Sequence, residues 1–308
     1  MPKYPLLGAI VFTTLVFALP AKAQPDENEL TGAPEPLPPA AIPLNGDKEP
    51  APSTKEPLGI AGTLSNSIIF RGTKESTLLT VLIGAYDVNK WVSVFGRVGM
   101  VHNTSADTAT ATGVGNPIGG ITFNLPSTDH VKLGGIAGVS IPVGSGGGNA
   151  PSAGMLRAWC NSIDWGGVMF AVDHLDVQAG LNATFLAGPL SLRMESTLHQ
   201  LVRVRGEKAD VLGSSATVTS STATVSYSLL SKVTVSSGLS ETRFWNTPKA
   251  IQDSPASRVD YYYIGGISTD LRVAGVGVTP SLLYARALDL PLRDEKFQVV
   301  ELDLGFTL

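Results

Sequence analysis

From about residue 58 to the C-terminus, apolar and polar residues alternate with a period of two. In 175–185, Leu175, Val177, Ala179, Leu181, Ala183 and Phe185 fall on one face, and Asp176, Gln178, Gly180, Asn182 and Thr184 on the other. The final segment repeats this, with Val300, Leu302, Leu304, Phe306 and Leu308 against Glu301, Asp303, Gly305 and Thr307. Successive strand side chains point to opposite faces, so each segment predicts a strand with one apolar and one polar side. Twelve such segments are predicted, at 58–70, 77–86, 91–102, 114–125, 131–143, 175–187, 190–205, 216–229, 233–245, 259–270, 276–289 and 297–308. Most reach the roughly 9–11 residues that a tilted membrane strand needs. Strands of soluble proteins usually stop at about 5–6.

The connections alternate in length. Those at 87–90, 126–130, 188–189, 230–232 and 271–275 are short. Between them lie 103–113, 144–174, 206–215, 246–258 and the smaller pieces 71–76 and 290–296, most of them rich in Gly, Ser, Thr and Asp. Tight turns at one end and long loops at the other predict an all-β, antiparallel up-and-down transmembrane barrel of the outer-membrane kind. An even strand number then puts both termini on the short-turn side. A soluble β-rich domain is the alternative. Against it, the assignable charges fall on the polar parity, as a lipid-facing wall requires. Two positions break the pattern. Arg286 shares the apolar parity of its segment, which requires a bulge or a place at the rim, and so does Asn66. Tyr261 and Tyr263 have the lipid parity at the outer end of their strand, and Tyr227 and Phe185 lie near turns, as interfacial aromatics should.

Composition narrows the class. Charged residues make up 16% of the 308, against about 25% in ordinary soluble domains. A net charge of −4 gives no field for nucleic acid. Cys160 is the only cysteine, and the four histidines, His102, His130, His174 and His199, show no i, i+4 pairing, so neither a disulfide, a metal site nor a cofactor is expected. The N-terminus reads as a secretory signal over 1–23. Lys3 is the positive region, 6–19 the apolar core and Ala21-Lys22-Ala23 the small-x-small cleavage pattern. The apolar run is shorter than a spanning helix needs. Residues 24–57, with nine of the 21 prolines and seven acidic residues, read as a disordered acidic linker. Pro36 and Pro39 give one PxxP, the pattern of a proline-motif ligand.

The final alternating strand, with Phe306 two places before the end, resembles the C-terminal strand that Gram-negative outer-membrane β-barrel proteins present to their assembly machinery. The terminal aromatic of that pattern is replaced here by Leu308. Signal peptide, linker and barrel together make the resemblance cover the whole chain. It implies an outer-membrane location, contact with outer-membrane lipid and insertion by that machinery. The segment 115–125, and 280–290 followed by the last strand, are similar to the barrels attributed to transport in a phenol-degradation (meta-cleavage) pathway.

Three functions follow from these residues. The first is a narrow porin or transporter passing small solutes through the lumen, since twelve strands lie between the filled eight-stranded barrels and the open porins. The candidate lumen-lining residues are Arg97, Lys132, Asp176, Arg193, Glu195, His199, Arg203, Arg205, Asp260, Asp270, Glu301 and Asp303. Arg193, Arg203 and Arg205 form a basic wall opposite an acidic one, or else pair with near neighbours such as Glu195. The loop 144–174, with Trp159 and Trp165, is the candidate plug, because a solvated loop has no reason to carry two tryptophans. The second function is a structural or adhesive anchor presenting outer loops. The third, a barrel lipid hydrolase, needs a serine and a histidine on the outer wall. The sequence has no GxSxG, and no histidine is placed on a lipid face, so a non-enzyme is expected.

Overall fold

The computed structural model describes residues 59–107, 109–146, 152–163, 167–206, 213–229, 232–246 and 258–308. The expected signal peptide and linker lie outside them, and so does Trp165. The described strands are β1 (Ile60–Arg71), β2 (Glu75–Asn89), β3 (Val92–Ser105), β4 (Ala111–Val114), β5 (Ile118–Asn124), β6 (Val131–Ser140), β7 (His174–Ala187), β8 (Leu190–Arg203), β9 (Ser215–Leu229), β10 (Val233–Asn246), β11 (Val259–Thr269), β12 (Leu271–Val273), β13 (Val276–Ala287) and β14 (Gln298–Thr307). One helix, α1 (Ala153–Ile163), lies between β6 and β7, followed by a short 3-10 turn, Val168–Phe170.

All pairings are antiparallel between neighbours, and β1 pairs with β14 from Ala61↔Thr307 to Phe70↔Gln298, so no edge remains. β4 and β5 both pair with β3, and β11 and β12 both pair with β13. The fourteen segments therefore make twelve staves of a closed barrel. Closure leaves no free sheet edge, the condition for crossing lipid.

Three boundaries differ from the sequence expectation. The fourth stave is broken at 115–117, where Pro117 has no N–H for the ladder. The predicted turn at 271–275 is mostly strand. β12 continues the tenth stave, and only Ala274 (φ 52°) and Gly275 (φ 88°) turn the chain, two positive-φ residues suited to a tight hairpin. The expected loop at 103–113 is shortened from both sides, by β3 reaching Ser105 and by β4.

The outer wall is apolar over most of its circumference. Leu181 is 64% exposed, Leu302 57% and Leu82 47%. A belt of this extent is stable only against lipid. Tyr86, Trp91 and Tyr227 lie at the short-turn end of this belt, and Phe70, Tyr261 and Trp245 toward the long-loop end. Asn66 does face outward, where its Oδ1 accepts a hydrogen bond from Thr80 Oγ1 at 2.9 Å across the β1–β2 ladder. Arg286 also faces outward, one residue from the end of β13, at the rim. Among the described residues no helix is long and apolar enough to span a membrane, so the crossing is made by strands.

The inner wall is not uniformly polar. On β1, β2, β3 and β5 it carries Ile69, Leu79, Val81, Ile83, Phe95, Val101 and Ile118, all buried. β2 is thus apolar on both faces, which period-two reasoning cannot orient. Toward the long-loop end the reason lies in what this wall packs against.

Candidate functional site: the lumen and its plug

The loop after β6 turns into the barrel at the long-loop end. Met155, Ala158 and Trp159 of α1, and the following Val168, Met169, Phe170 and Ala171, are buried in one cluster with Ile69, Leu79 and Val101 of the inner wall. Space for them comes from inward-facing glycines. A Cβ at Gly113 would stand 2.1 Å from Met155 Cε, and one at Gly115 3.0 Å from the Phe170 ring. Between Val101, Met155, Trp159 and Phe170 only a crevice of about 10 Å³ remains, about the minimum for one water. The two apolar surfaces explain each other toward the long-loop end: around Gly99 and Val101 the inner face of β3 is apolar where Met155, Trp159, Met169 and Phe170 cover it.

Polar side chains fix the insertion. Asn116, fully buried at the break in the fourth stave, donates from Nδ2 to the carbonyls of Ala171 and His174, each at 3.0 Å, and accepts from Gly144 N at 2.9 Å. Asn161 donates to Thr77 Oγ1 at 3.1 Å, and Thr77 donates to Asn103 Oδ1 at 2.7 Å. Arg157 Nε donates to both oxygens of the buried Glu75, at 3.0 and 3.1 Å. A second segment, 288–297, also turns inward. Leu292 and Phe297 are buried, and the Phe297 ring lies 5.7 Å from that of Tyr262. Arg71 joins the two, pairing with Glu295 and donating to Asn161 Oδ1. Asn116, Asn161, Arg71, Glu75 and Arg157 were not foreseen. Their only sequence signal was the Gly115-Asn116-Pro117 break inside a predicted strand.

The expected lumen residues fall as follows. Arg97, Lys132, Asp176, Arg193, Glu195, His199, Arg203, Asp260, Glu301 and Asp303 are on the inner parity of their staves by register. Asp270 lies between β11 and β12, near the short turns, and accepts from Thr279 Oγ1 at 2.7 Å. Arg97 lies in the field of both Glu301 and Asp176. His199 Nδ1 is 3.0 Å from Asp176 Oδ2, Ser67 Oγ donates to Glu301 Oε2 at 2.6 Å, and Ser281 Oγ to Asp303 Oδ2 at 3.2 Å. The buried atoms Arg97 Nε, Asp176 Oδ1 and Arg193 Nε have no partner among the described residues. A buried polar atom without a partner is costly.

The basic wall does not form. Arg193 pairs with Glu195 at 3.3 Å. Arg203 donates to the carbonyls of Gly213 and Arg205. Arg205, beyond the end of β8, is turned to the plug loop instead of lining the lumen. It binds Asp173 at 3.2 Å and the carbonyls of Val172 and Gly144, bracing the plug loop at its root. A long arginine beside unpaired loop carbonyls satisfies them before it faces an open lumen. One placement of a histidine is also corrected. His102 faces outward beside Met100, near the long-loop end, with Thr112 Oγ1 2.7 Å from its Nδ1.

The inner surface left partly exposed runs along β7–β10. Asn182, Glu195, Thr197, Ser220, Thr222, Thr224, Ser236 and Ser240 are half-exposed, while Leu201, Ala216, Val218 and Phe244 near the long loops are buried. The interior is therefore two-sided: an apolar half filled by the plug, and a strip of hydroxyls left open beside it.

No protein-family model and no curated protein matches the sequence. Solved structures do match by fold. An outer membrane channel from Pseudomonas putida F1 aligns with a TM-score of 0.53 at 12% identity, over 85% of this chain and 99% of that one. The NanC porin aligns with a TM-score of 0.50 at 8% identity, over 80% of this chain and 100% of that one. At such identities the likeness is one of fold. Together with the closed twelve-stave wall and its apolar belt, it gives this chain the fold of the outer-membrane β-barrels.

Proposed function

We propose that the barrel passes small polar solutes across the outer membrane through a narrow lumen that α1 and the 168–171 segment constrict. The observation that carries this is the division of the interior. The inserted segment occupies the apolar half, and the hydroxyl strip of β7–β10 stays half-exposed. The charged group around Arg97, Asp176, His199 and Glu301 would then sort solutes by charge and dipole. Lipid surrounds the wall, and the assembly machinery reads the last strand. The barrel is not an enzyme on this reading. His199 has a carboxylate partner, yet among the described residues no serine, threonine or cysteine hydrogen-bonds its other ring nitrogen, as nucleophile activation requires.

Purified protein in planar bilayers tests the proposal. The expected result is a small, steady conductance that rises several-fold when 152–167 is replaced by a short Gly-Ser linker. Trp159→Ala with Met155→Ala should give a smaller rise in the same direction. Folded protein with no conductance, both before and after loosening the plug, overturns transport and leaves an anchor that presents its loops.

A further inference from the structure

One sector of the outer wall carries an ion pair. By register, Ser196 on β8, Ser221 on β9 and Glu241 on β10 form a row on the outer wall, and Thr219 and Arg243 stand in the next row. Glu241 and Arg243 form an ion pair at 2.7 Å, about one-third exposed on each side. The Arg243 guanidinium lies over the Trp245 ring at 5.1 Å, the Trp245 indole donates to Thr219 Oγ1, and Ser196 and Ser221 hydroxyls are 2.9 Å apart. Across the barrel the outer wall carries Leu78, Leu82 and Tyr86 on β2, all exposed, with the uncharged Thr80 bonded to Asn66 between them. On β7, one stave from the patch, the outer residues are Val177, Ala179 and Leu181. The polar patch is thus local to three staves.

We propose that this sector is the interface between two copies of the chain. Glu241 and Arg243 bond each other and the Tyr261 hydroxyl, and the carboxylate and guanidinium sites left over find no water in hydrocarbon, so a second protein wall completes them. The patch balances its own charge, Glu241 against Arg243, so it offers no excess charge to an anionic lipid headgroup. It is complementary to itself. Both copies insert with the same end outward, so a two-fold axis between them must run along the membrane normal. Strand tilt sets Arg243 above and to one side of Glu241. That axis then brings the partner's Glu241 beneath Arg243 and completes a ring of two ion pairs, as an isologous contact requires. Trp245 and Tyr261 flank the pair as the aromatic anchors of such a contact.

Charge exchange tests the interface. Light scattering in mild detergent should give a dimer for the natural chain. Glu241→Arg should give a monomer, because four arginines would then meet. Glu241→Arg combined with Arg243→Glu should restore the dimer. In outer-membrane vesicles, on a Cys160→Ser background, oxidation should link Ser221→Cys into dimers and leave Leu82→Cys, on the opposite wall, unlinked. Heat-modifiable migration checks that each variant is folded. Should a cysteine variant not fold, the charge-exchange series decides alone. A natural chain that is monomeric overturns the proposal, as does equal linking at both cysteines. So does a monomer whose patch instead binds anionic lipid in a way that Arg243→Glu abolishes.

Discussion

Leu181 and Asn182 are neighbours on β7 with opposite surroundings. Leu181 is 64% exposed on the outer belt, and Asn182 faces the half-exposed interior opposite Gly134 and Glu195. A basic residue on the lipid side near midplane costs about 2–4 kcal/mol. Leu181→Arg is therefore expected to lower the folded fraction strongly on heat-modifiable gels, with Asn182→Arg close to the natural chain. Equal losses would show that the faces are assigned wrongly. Asp289, outside the wall, gives a second prediction. Burial pushes its carboxyl above the usual range, while the Tyr261 N–H donating to it at 3.0 Å acts weakly the other way. A raised folded value means that protonation favours the folded state. Its stabilising effect is full below the unfolded value of about 4 and is lost as pH rises through the folded one. Asp289→Asn should keep the acceptor and remove this loss. Melting in detergent should then fall less between pH 4 and pH 7 than it does for the natural chain.

The element that matters most is α1, and polar contacts decide where it sits. Glu75 is buried, and Arg157 is half-exposed, so their ion pair is partly screened and its worth is on the order of 1 kcal/mol. Asn116 makes three hydrogen bonds to the plug loop, and removing them strands the His174 carbonyl and the Gly144 N–H, while the Ala171 carbonyl keeps the His174 N–H. Each stranded group costs about 1–3 kcal/mol. Asn116→Ala should therefore loosen the plug more than Glu75→Gln does, read as faster proteolysis in 144–174 and as larger, noisier conductance. Arg205→Glu should act in the same way, because Arg205 braces Asp173, Val172 and Gly144. A shift in ion selectivity with the plug still protected from protease would return Arg205 to the lumen.

For the whole molecule, antiparallel closure from β1 to β14 requires β-sheet circular dichroism in detergent and slower gel migration after boiling. A monomer soluble without detergent would contradict a belt this apolar. A polar inner wall alone would suggest an open pore of even character. The inserted α1, the 288–297 segment and the Arg71 bridge between them instead concentrate the closed region at the long-loop end. The proposed transport is then limited at that end rather than at the short-turn mouth. Widening the short-turn side, for example with Arg193→Ser, should change conductance much less than removing α1.

Strand number, the sidedness of β7 and β14 and the alternation of turns with loops were legible in the sequence. They follow from a local rule: side chains alternate, and lipid admits only one kind of residue on its side. The positions of Asn66 and Arg286 were legible too, as departures from parity that the structure resolves with a cross-strand hydrogen bond and a rim location. The inner apolar face of β3 around Val101, the Asn116 anchor and the loop-bracing role of Arg205 were not. Each depends on a segment distant in sequence folding back through the barrel mouth, and alternation within one strand carries no information about what enters from elsewhere. The outward charges Glu241 and Arg243 were hidden for a related reason. On β10 the inner residues Ser236, Gly238, Ser240 and Thr242 are hardly more polar than the outer ones, so only pairing with β9 and β11 fixes which face meets the membrane.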